Sequence, residues 1–176
     1  MSINSFPGIG QTVAVSFASE GCRRIVVADL SIEGLEKTAS LIASTSTETQ
    51  VVQVVIDVSQ PGDVSGLLQK AVETFGRVDY AVNAAGILSM DHRSHETSVE
   101  SFDRVLAVDY KGSWLCSREE IKHMLGQEPL ETHDGRTGNR GCVHRSNTYL
   151  HTVLMSLKID SEHCKSAWDC GKTYRS

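Results

Sequence analysis

Arg24-Ile-Val-Val-Ala-Asp29 decides the fold, because it is a short, almost continuous apolar run that ends in an acidic residue. Two runs of the same kind follow it, Val51-Val-Gln-Val-Val-Ile56 and Val78-Asp-Tyr-Ala-Val-Asn83. Such runs are typical of strands that are covered by helices on both faces of a sheet. Helical patterns separate the three runs, so the sequence predicts βα units around a parallel sheet.

The segments between the runs have helix start and stop signals. A helix is predicted from about Ser31, and another follows Ser59, whose side chain can cap it, and ends at Gly76. A longer helix is predicted from about Ser98, with apolar residues that recur until Trp114 and Leu115. Each of the first two helices returns the chain to a strand, as a doubly wound fold requires.

The βα pattern stops in the last quarter of the chain. Residues 126–140 are polar and turn-rich and predict an exposed loop. Gly141-Cys-Val143 begins like a fourth strand, which the polar residues from His144 to Asn147 are expected to break. The amphipathic piece from Tyr149 to Leu157 predicts a short helix. We therefore divide the chain into a partial α/β domain, 1–143, and a divergent tail, 144–176.

Composition excludes several classes of protein. The 176 residues fit one domain, and a net charge of −5 without a basic run argues against nucleic acid as a partner. No apolar stretch approaches the ~18 residues of a membrane span, and no leader opens the chain. Five scattered cysteines suit a reducing compartment. We expect a cytoplasmic protein that does not bind a membrane.

Small and polar residues stand where a dinucleotide would need them. Gly8-Ile9-Gly10 precedes a helical pattern, and Asp29, Asp57 and Asn83-Ala-Ala-Gly86 close the three strands. Glycines let a backbone approach a pyrophosphate at a helix N-terminus, and ligands of open α/β sheets bind beyond the carboxyl ends of the strands. Simpler interpretations stay open: a tight turn at the glycines, a helix cap at Asp57 and a turn-stabilising amide at Asn83.

As a set, these motifs resemble the short-chain dehydrogenase/reductase family over roughly residues 8–143. The resemblance implies a Rossmann-like doubly wound parallel sheet and hydride transfer between a nicotinamide and a carbonyl or secondary alcohol. The matching pieces are the glycine loop at Gly8-Ile9-Gly10, the strand ends Ala28-Asp29-Leu30 and Asp57-Val58, the motif Asn83-Ala84-Ala85-Gly86, and the long helix around Arg104 to Arg118.

The resemblance also implies roles for single residues. Gly8, Ile9 and Gly10 would lie against the cofactor, Asp57 would contact the adenine amino group, and Asn83 and Gly86 would border the ribose and nicotinamide. Asp29 would favour NAD over NADP, because a carboxylate binds the 2′-hydroxyl and repels a 2′-phosphate. Expected partners are a nicotinamide dinucleotide, a small carbonyl or alcohol substrate and, through the long helix, a second copy or a relative.

The N-terminus departs from the family. Ile3 and Asn4 stand where the family has Thr-Gly, and only Met1 and Ser2 precede them, so the first strand is missing. That strand lies in the middle of the family's sheet. Its absence predicts unpaired backbone groups, exposed apolar edges and low stability.

The catalytic C-terminal half of the family pattern is missing too. No Tyr is followed by Lys four residues later, and Thr148 and Ser161, with Lys165 beyond, fall at the positions of the family's Ser and Tyr-x-x-x-Lys. Asp109 stands in place of the assisting Asn. We therefore assign no catalytic residue and expect this chain to be inactive.

Two polar clusters are interpreted as surface. His163, Cys164 and Cys170 are one ligand short of a zinc site, so no metal is predicted. The polar residues 91–96 predict a solvated loop. The insertion at 126–140 resembles that of fungal members of the family that act in secondary metabolism. The alternatives are a nucleotide-binding or dimerising remnant without catalysis, and an unstable product of a truncated gene.

Overall fold

The computed structural model describes residues 8–88, 93–129, 138–145 and 154–158. Over residues 9–83 its elements alternate between helices and strands. A 3-10 turn at Ser94–Glu96, two α-helices joined by a stretch with π-helical bonding at Leu106–Gly112, and two strands follow. In chain order they are α1 Ile9–Ser19, β1 Arg24–Asp29, α2 Ile32–Thr45, β2 Gln50–Val55, α3 Pro61–Phe75, β3 Tyr80–Asn83, α4 Val99–Val105, α5 Ser113–Leu125, β4 Cys142–Arg145 and β5 Leu154–Lys158.

The five strands form one sheet in the order β2-β1-β5-β3-β4. β1 pairs with β2, and β3 pairs with β4, in parallel. β5 lies between these two pairs and runs antiparallel to both of its neighbours. The Rossmann-like class predicted from the sequence is therefore confirmed, with a mixed rather than purely parallel sheet.

Side chains that alternate along β1 divide the core into two layers. Ile25 and Val27 pack with α1 and α2 on one face, while Val26 and Ala28 pack with α3 and α5 on the other. This burial on both faces explains why the strand has no polar residue between Arg24 and Asp29. The sequence bounds of β1 were predicted correctly.

The helix starts agree with the sequence at two of three positions. Ser31 caps α2 by accepting a hydrogen bond from the Gly34 N–H, and Ser98 caps α4 in the same way. The cap predicted for α3 is wrong, because the structure places Gln60 there and Ser59 one residue earlier. α3 ends at Gly76, whose φ of 82° is the left-handed conformation that favours glycine.

The C-terminal region differs most from the prediction. His144 does not break the fourth strand, because β4 runs through Arg145 in parallel register with β3. The short helix predicted through Leu157 is also wrong where it can be judged: Leu154–Lys158 is strand β5, and 149–153 lie outside the described residues. The division at 143/144 stays a prediction, although β4 crosses it.

The gap expected in the middle of the sheet is filled. Because α1 and α2 cover the same face, a right-handed crossover would place any strand that leads into α1 beside β1, on the side away from β2. β5 occupies that position and pairs with β1 and β3. The prediction that both neighbours lack hydrogen-bond partners is therefore wrong.

Candidate functional site

The sequence motifs meet at one edge of the sheet, here called the carboxyl rim and defined by Asp29, Asp57 and Asn83. These residues end or directly follow the parallel strands β1, β2 and β3. α1 ends five residues before β1 begins and packs against it, so its N-terminus at Gly8 lies at the same rim. The topology thus places the backbone of the predicted cofactor residues at one edge of the sheet.

Among the described residues, the hydrogen-bond donors at the start of α1 have no side-chain cap. Gly8 is the N-cap in extended conformation, and glycine has no side chain with which to cap the first turn. The first N–H groups of a helix have no partner within it and carry a partial positive charge. One turn in, the buried Gln11 side chain donates to Thr38 Oγ1 at 3.0 Å and fixes α1 against α2. A rigid, uncapped helix start of this kind suits a phosphate group.

Asp29 lies at the tip of β1 with half of its carboxylate committed. Its Oδ1 accepts a hydrogen bond from the Ser31 N–H at 2.8 Å, which sets the turn into α2. Among the described residues, no other hydrogen bond to this carboxylate is present. The second oxygen can therefore accept from a hydroxyl group at the rim.

Asp57 is held in a compact turn before α3. Its Oδ1 accepts from the Ser59 N–H at 2.9 Å, and its own N–H donates to Asp63 Oδ2 at 2.9 Å. A Cβ at Gly112 would come within 2.9 Å of Val58 Cγ2, so this turn and the π-helical stretch are in close contact. The sequence did not indicate this requirement for glycine at 112.

Asn83 points its side chain into the protein rather than toward the rim. Its Nδ2 donates to Glu120 Oε2 at 2.8 Å and to Ser117 Oγ at 3.3 Å, both on α5. The side chain therefore has a structural role, but it bonds α5 rather than the turn after β3, which a turn-stabilising amide would bond. Glu120 was missed, because no sequence spacing links a residue inside α5 to the end of β3.

Glu120 and its neighbour Cys116 are both buried and titratable. Burial raises the pKa of Glu120 to about 7, although the hydrogen bond from Asn83 opposes the shift. Burial, and then the charge of Glu120, raise the pKa of the Cys116 thiol to about 12. At neutral pH the thiol is therefore protonated, whereas Glu120 is near its midpoint.

Asp109 holds the turn that follows β3. It lies in the π-helical stretch, and its Oδ1 accepts a hydrogen bond from the Ile87 N–H at 2.8 Å. The backbone from Asn83 to Gly86 is thus fixed at both ends, by Glu120 and by Asp109. The residue at the family's assisting-Asn position has a structural partner here.

The remaining polar candidates contribute little to the rim. His95 is exposed, with its Nε2 at 3.8 Å from Glu96 Oε1. In the described part of the chain, no group of three metal-ligating side chains exists, and no helix is long and apolar enough to span a bilayer. The others lie outside the described residues: Asp91, His92, Thr148, Ser161, His163, Cys164, Lys165 and Cys170.

Comparison with known proteins gives a consistent family. Residues 5–130 match the protein family described as enoyl-(acyl carrier protein) reductase. An uncharacterised oxidoreductase of Thermotoga maritima is 38% identical over 160 residues, which cover 87% of this chain and 61% of that protein. A versicolorin reductase of Emericella nidulans is 33% identical over 172 residues, covering 93% of this chain and 60% of the relative.

Shorter matches and solved structures agree with this result. The 2-(R)-hydroxypropyl-CoM dehydrogenase of Xanthobacter autotrophicus is 38% identical over 122 residues, covering 68% of this chain and 48% of that enzyme. The crystal structure of levodione reductase matches with a TM-score of 0.64 at 31% identity, covering 66% of this chain and 45% of that one. A short-chain dehydrogenase/reductase from Mycobacterium marinum matches with a TM-score of 0.63 at 27% identity, covering 69% and 48% of the two chains.

The chain therefore spans between about half and three fifths of the length of these relatives. With a family match over 126 of its 176 residues, and with solved relatives of the same fold, the chain belongs to the short-chain dehydrogenase/reductase family of oxidoreductases.

Proposed function

We propose that the carboxyl rim binds NAD(H) and that the protein belongs to an NAD-dependent system of hydride transfer between a nicotinamide and a carbonyl or secondary alcohol. The observation that supports this most is the convergence of an uncapped helix start with the acids at two strand ends. The amide donors suit a pyrophosphate, and the acceptors suit ribose hydroxyls and an adenine amino group.

Each rim residue has a task in this proposal. Gly8, Ile9 and Gly10 bind the pyrophosphate through backbone N–H groups, and Asp29 accepts from the ribose hydroxyls through its second oxygen. Asp57 accepts from the adenine amino group beside the turn that it stabilises. The turn from Asn83 to Gly86 borders the nicotinamide ribose. When bound, the dinucleotide supplies or accepts the hydride.

The preference for NAD over NADP rests on the charge of Asp29. A 2′-phosphate would bring about two negative charges to a carboxylate, and no Lys or Arg occurs in residues 1–7 to compensate. NADP is therefore the weaker ligand. We further propose a substrate from fungal secondary metabolism, supported by the polar insertion at 126–140 and by the 93% coverage against versicolorin reductase.

Binding of the cofactor does not require turnover by this chain. The predicted positions of the family's proton donors are occupied by Thr148 and Ser161, neither of which has the acidity of a phenol beside a lysine. We propose that the chain binds dinucleotide without reducing a substrate at a measurable rate.

Calorimetric titration of the full chain with NADH and with NADPH tests the proposal. NADH is expected to bind more tightly, and Asp29→Ala to reduce that preference, since the variant loses both the hydrogen bond and the repulsion. Asp63→Ala is a matched control, because this exposed acid contacts the Asp57 turn but does not line the ribose position. NADPH binding as tight as NADH binding would refute the cofactor assignment.

A second candidate role is association through the long helix. Its outer face has exposed apolar side chains that are three, four or, between Trp114 and Ile121, seven residues apart, spacings that place them on one side of a helix. These residues form the apolar stripe Val99, Phe102, Leu106, Tyr110, Trp114, Ile121 and Leu125. A stripe of this length favours a helix-to-helix interface with a second copy or a relative.

Sedimentation of the full chain and two charge variants tests this association. Tyr110→Glu, in the centre of the apolar stripe, is expected to shift an oligomer to monomer. Leu41→Glu, an exposed apolar residue of α2 outside the stripe, is expected to leave the assembly unchanged. A wild-type chain that is monomeric at high concentration would exclude the dimerising role.

A further inference from the structure

A buried acid and a buried amide face each other where α5 packs on the end of β3. Glu120 and Asn83 are only 1% and 3% exposed. The Asn83 Nδ2 donates to Glu120 Oε2 at 2.8 Å and more weakly to Ser117 Oγ. The Ser117 hydroxyl donates its own proton to the Ser113 carbonyl at 2.9 Å. Ser117 therefore has no proton left to give to Asn83.

One oxygen atom in this pair of side chains lacks a hydrogen-bond donor. Asn83 Oδ1 is fully buried and has no hydrogen-bond donor among the described residues. A buried carbonyl oxygen without a donor costs about 1–3 kcal/mol. The same amide already contacts Glu120 Oε2 through its Nδ2, so the neighbouring group that can take up an additional proton is the Glu120 carboxylate. No backbone N–H or serine hydroxyl in the described chain fills that role.

Among the described residues, Glu120 also lacks a compensating cation. None of the ion pairs in the described part of the chain includes it, whereas its neighbour Glu119 contacts both Arg118 and Lys122. An ionised carboxylate that is buried without a cation is strongly disfavoured. Protonation removes that charge and creates the donor that Asn83 Oδ1 needs.

We propose that Glu120, in its neutral form, makes a two-point pair with Asn83. The protonated carboxyl oxygen of Glu120 donates to Asn83 Oδ1, and the other oxygen accepts from Asn83 Nδ2. Both polar groups are then fully used without any buried charge. The pair anchors the end of β3, where the turn to Gly86 begins.

Among the described buried groups of α5 and its neighbouring strands, Glu120 is the one expected to titrate near neutral pH. On α5, the Cys116 thiol stays protonated because its pKa is raised to about 12. Asp79 directly precedes β3, at the end of the strand far from Asn83, and pairs with Arg77. On β4, His144 and Arg145 are exposed.

The other elements packed against α5 agree. The charged side chains of α3 are exposed: Asp63, Lys70 and Glu73. In the π-helical stretch, Asp109 is committed to the Ile87 N–H, and Lys111 is exposed. None of these groups offers Glu120 a partner of opposite charge in the described structure.

The pair makes the rim sensitive to pH. The pKa of Glu120 is raised from 4.5 to about 7, so its protonated form stabilises the fold fully below about pH 4.5. That contribution is lost as the pH rises through about 7, because the ionised acid can no longer donate to Asn83. If the rim binds NADH, as proposed above, loss of this anchor is expected to weaken binding roughly 3- to 10-fold above that pH.

The Glu120→Gln variant tests whether Glu120 acts as a titrating acid or only as a polar residue that the structure needs. The glutamine amide can donate to Asn83 Oδ1 and accept from Asn83 Nδ2, so it imitates the neutral acid and does not titrate. We expect this variant to keep its stability between pH 5 and pH 8, whereas wild type loses stability over that range. Glu120→Ala removes both hydrogen bonds and should be less stable at every pH.

The control variant is Glu119→Gln, which changes the adjacent acid on the same helix and should retain the wild-type pH profile. Infrared difference spectra of the folded full chain give an independent readout. The carbonyl band of a protonated carboxylic acid is expected below pH 7 in wild type and Glu119→Gln, and its Glu120 component should be absent from Glu120→Gln.

The outcomes are distinct. Equal pH profiles for wild type and Glu120→Gln, or no acid band attributable to Glu120, would overturn the proposal. A chain that shows the stability profile and the band but binds no dinucleotide would confirm the pair and refute the cofactor role. If Glu120→Gln failed to fold, the wild-type infrared titration alone would decide: a band lost through about pH 7 supports the pair, and its absence overturns it.

Discussion

β1 and β5 are neighbours in the sheet, yet the sequence indicates them very differently. β1 is six residues long, has no polar residue between its ends and is buried on both faces by the two core layers. β5 runs antiparallel beside it, and its sequence, Leu154-Met-Ser-Leu-Lys158, follows eight residues after the end of β4. The sequence of β1 alone is enough to predict a strand. β5 is a strand because it pairs with β1 and β3, which are distant in sequence.

This difference shows what decides the centre of the sheet. The position beside β1 is fixed by α1 and the handedness of the crossovers, independently of which segment fills it. Two flanking strands with unpaired N–H and C=O groups can pair with any extended segment that lies between them. In this chain, the tail meets that need, and its direction is opposite to that of the other strands.

The largest expected difference between the carboxyl rim and the C-terminal tail is in their contribution to catalysis. The rim has the acceptors for a cofactor, while the tail has no Tyr-x-x-x-Lys, so we predict no measurable dehydrogenase turnover. A positioned general acid alone typically contributes about 10²–10⁴ in rate. The assay is a panel of ketones and alcohols followed at the NADH absorbance band. Turnover that Ser161→Ala or Lys165→Ala abolishes would show that the tail holds a relocated catalytic pair.

A proline tests whether β5 has the importance of a central strand. Ser156→Pro removes a backbone donor between two partner strands and is expected to destabilise the fold by about 3 kcal/mol. Gln53→Pro is the control, since Gln50 and Ile56 donate to β1, so alternation turns the Gln53 N–H to the open edge. Urea unfolding measures both. Equal, small losses would mean that β5 is dispensable.

Local signals therefore predicted much of the fold, and non-local ones were missed. An apolar run predicted β1, a helical pattern predicted that α2 starts near Ser31, and a glycine predicted that α3 ends at Gly76. β5 was missed because its alternation is too short to distinguish a strand from a helix. The rim acids were predicted as a set, but Glu120 was not, because its partner Asn83 is 37 residues away.

Two helical glycines give a smaller and sharper contrast. Gly112→Ala places a Cβ 2.9 Å from Val58 Cγ2 and 3.1 Å from the Val58 carbonyl oxygen, so we expect a loss of about 1–3 kcal/mol. Gly66→Ala has open space around it in α3 and should stabilise the protein by up to about 1 kcal/mol. Thermal unfolding compares them. Similar effects of both changes would mean that Gly112 and Val58 are not in close contact.

Amide chemical shifts recorded while NADH is added test most directly whether the carboxyl rim is the binding site. We predict that the perturbed N–H groups are those at the start of α1, at Asp29, at Asp57 and from Ala84 to Gly86, while those at the opposite strand ends, such as Arg24 and Tyr80, do not move. Shifts centred on the opposite strand ends, or on the outer residues of α3 and α5, would contradict the account.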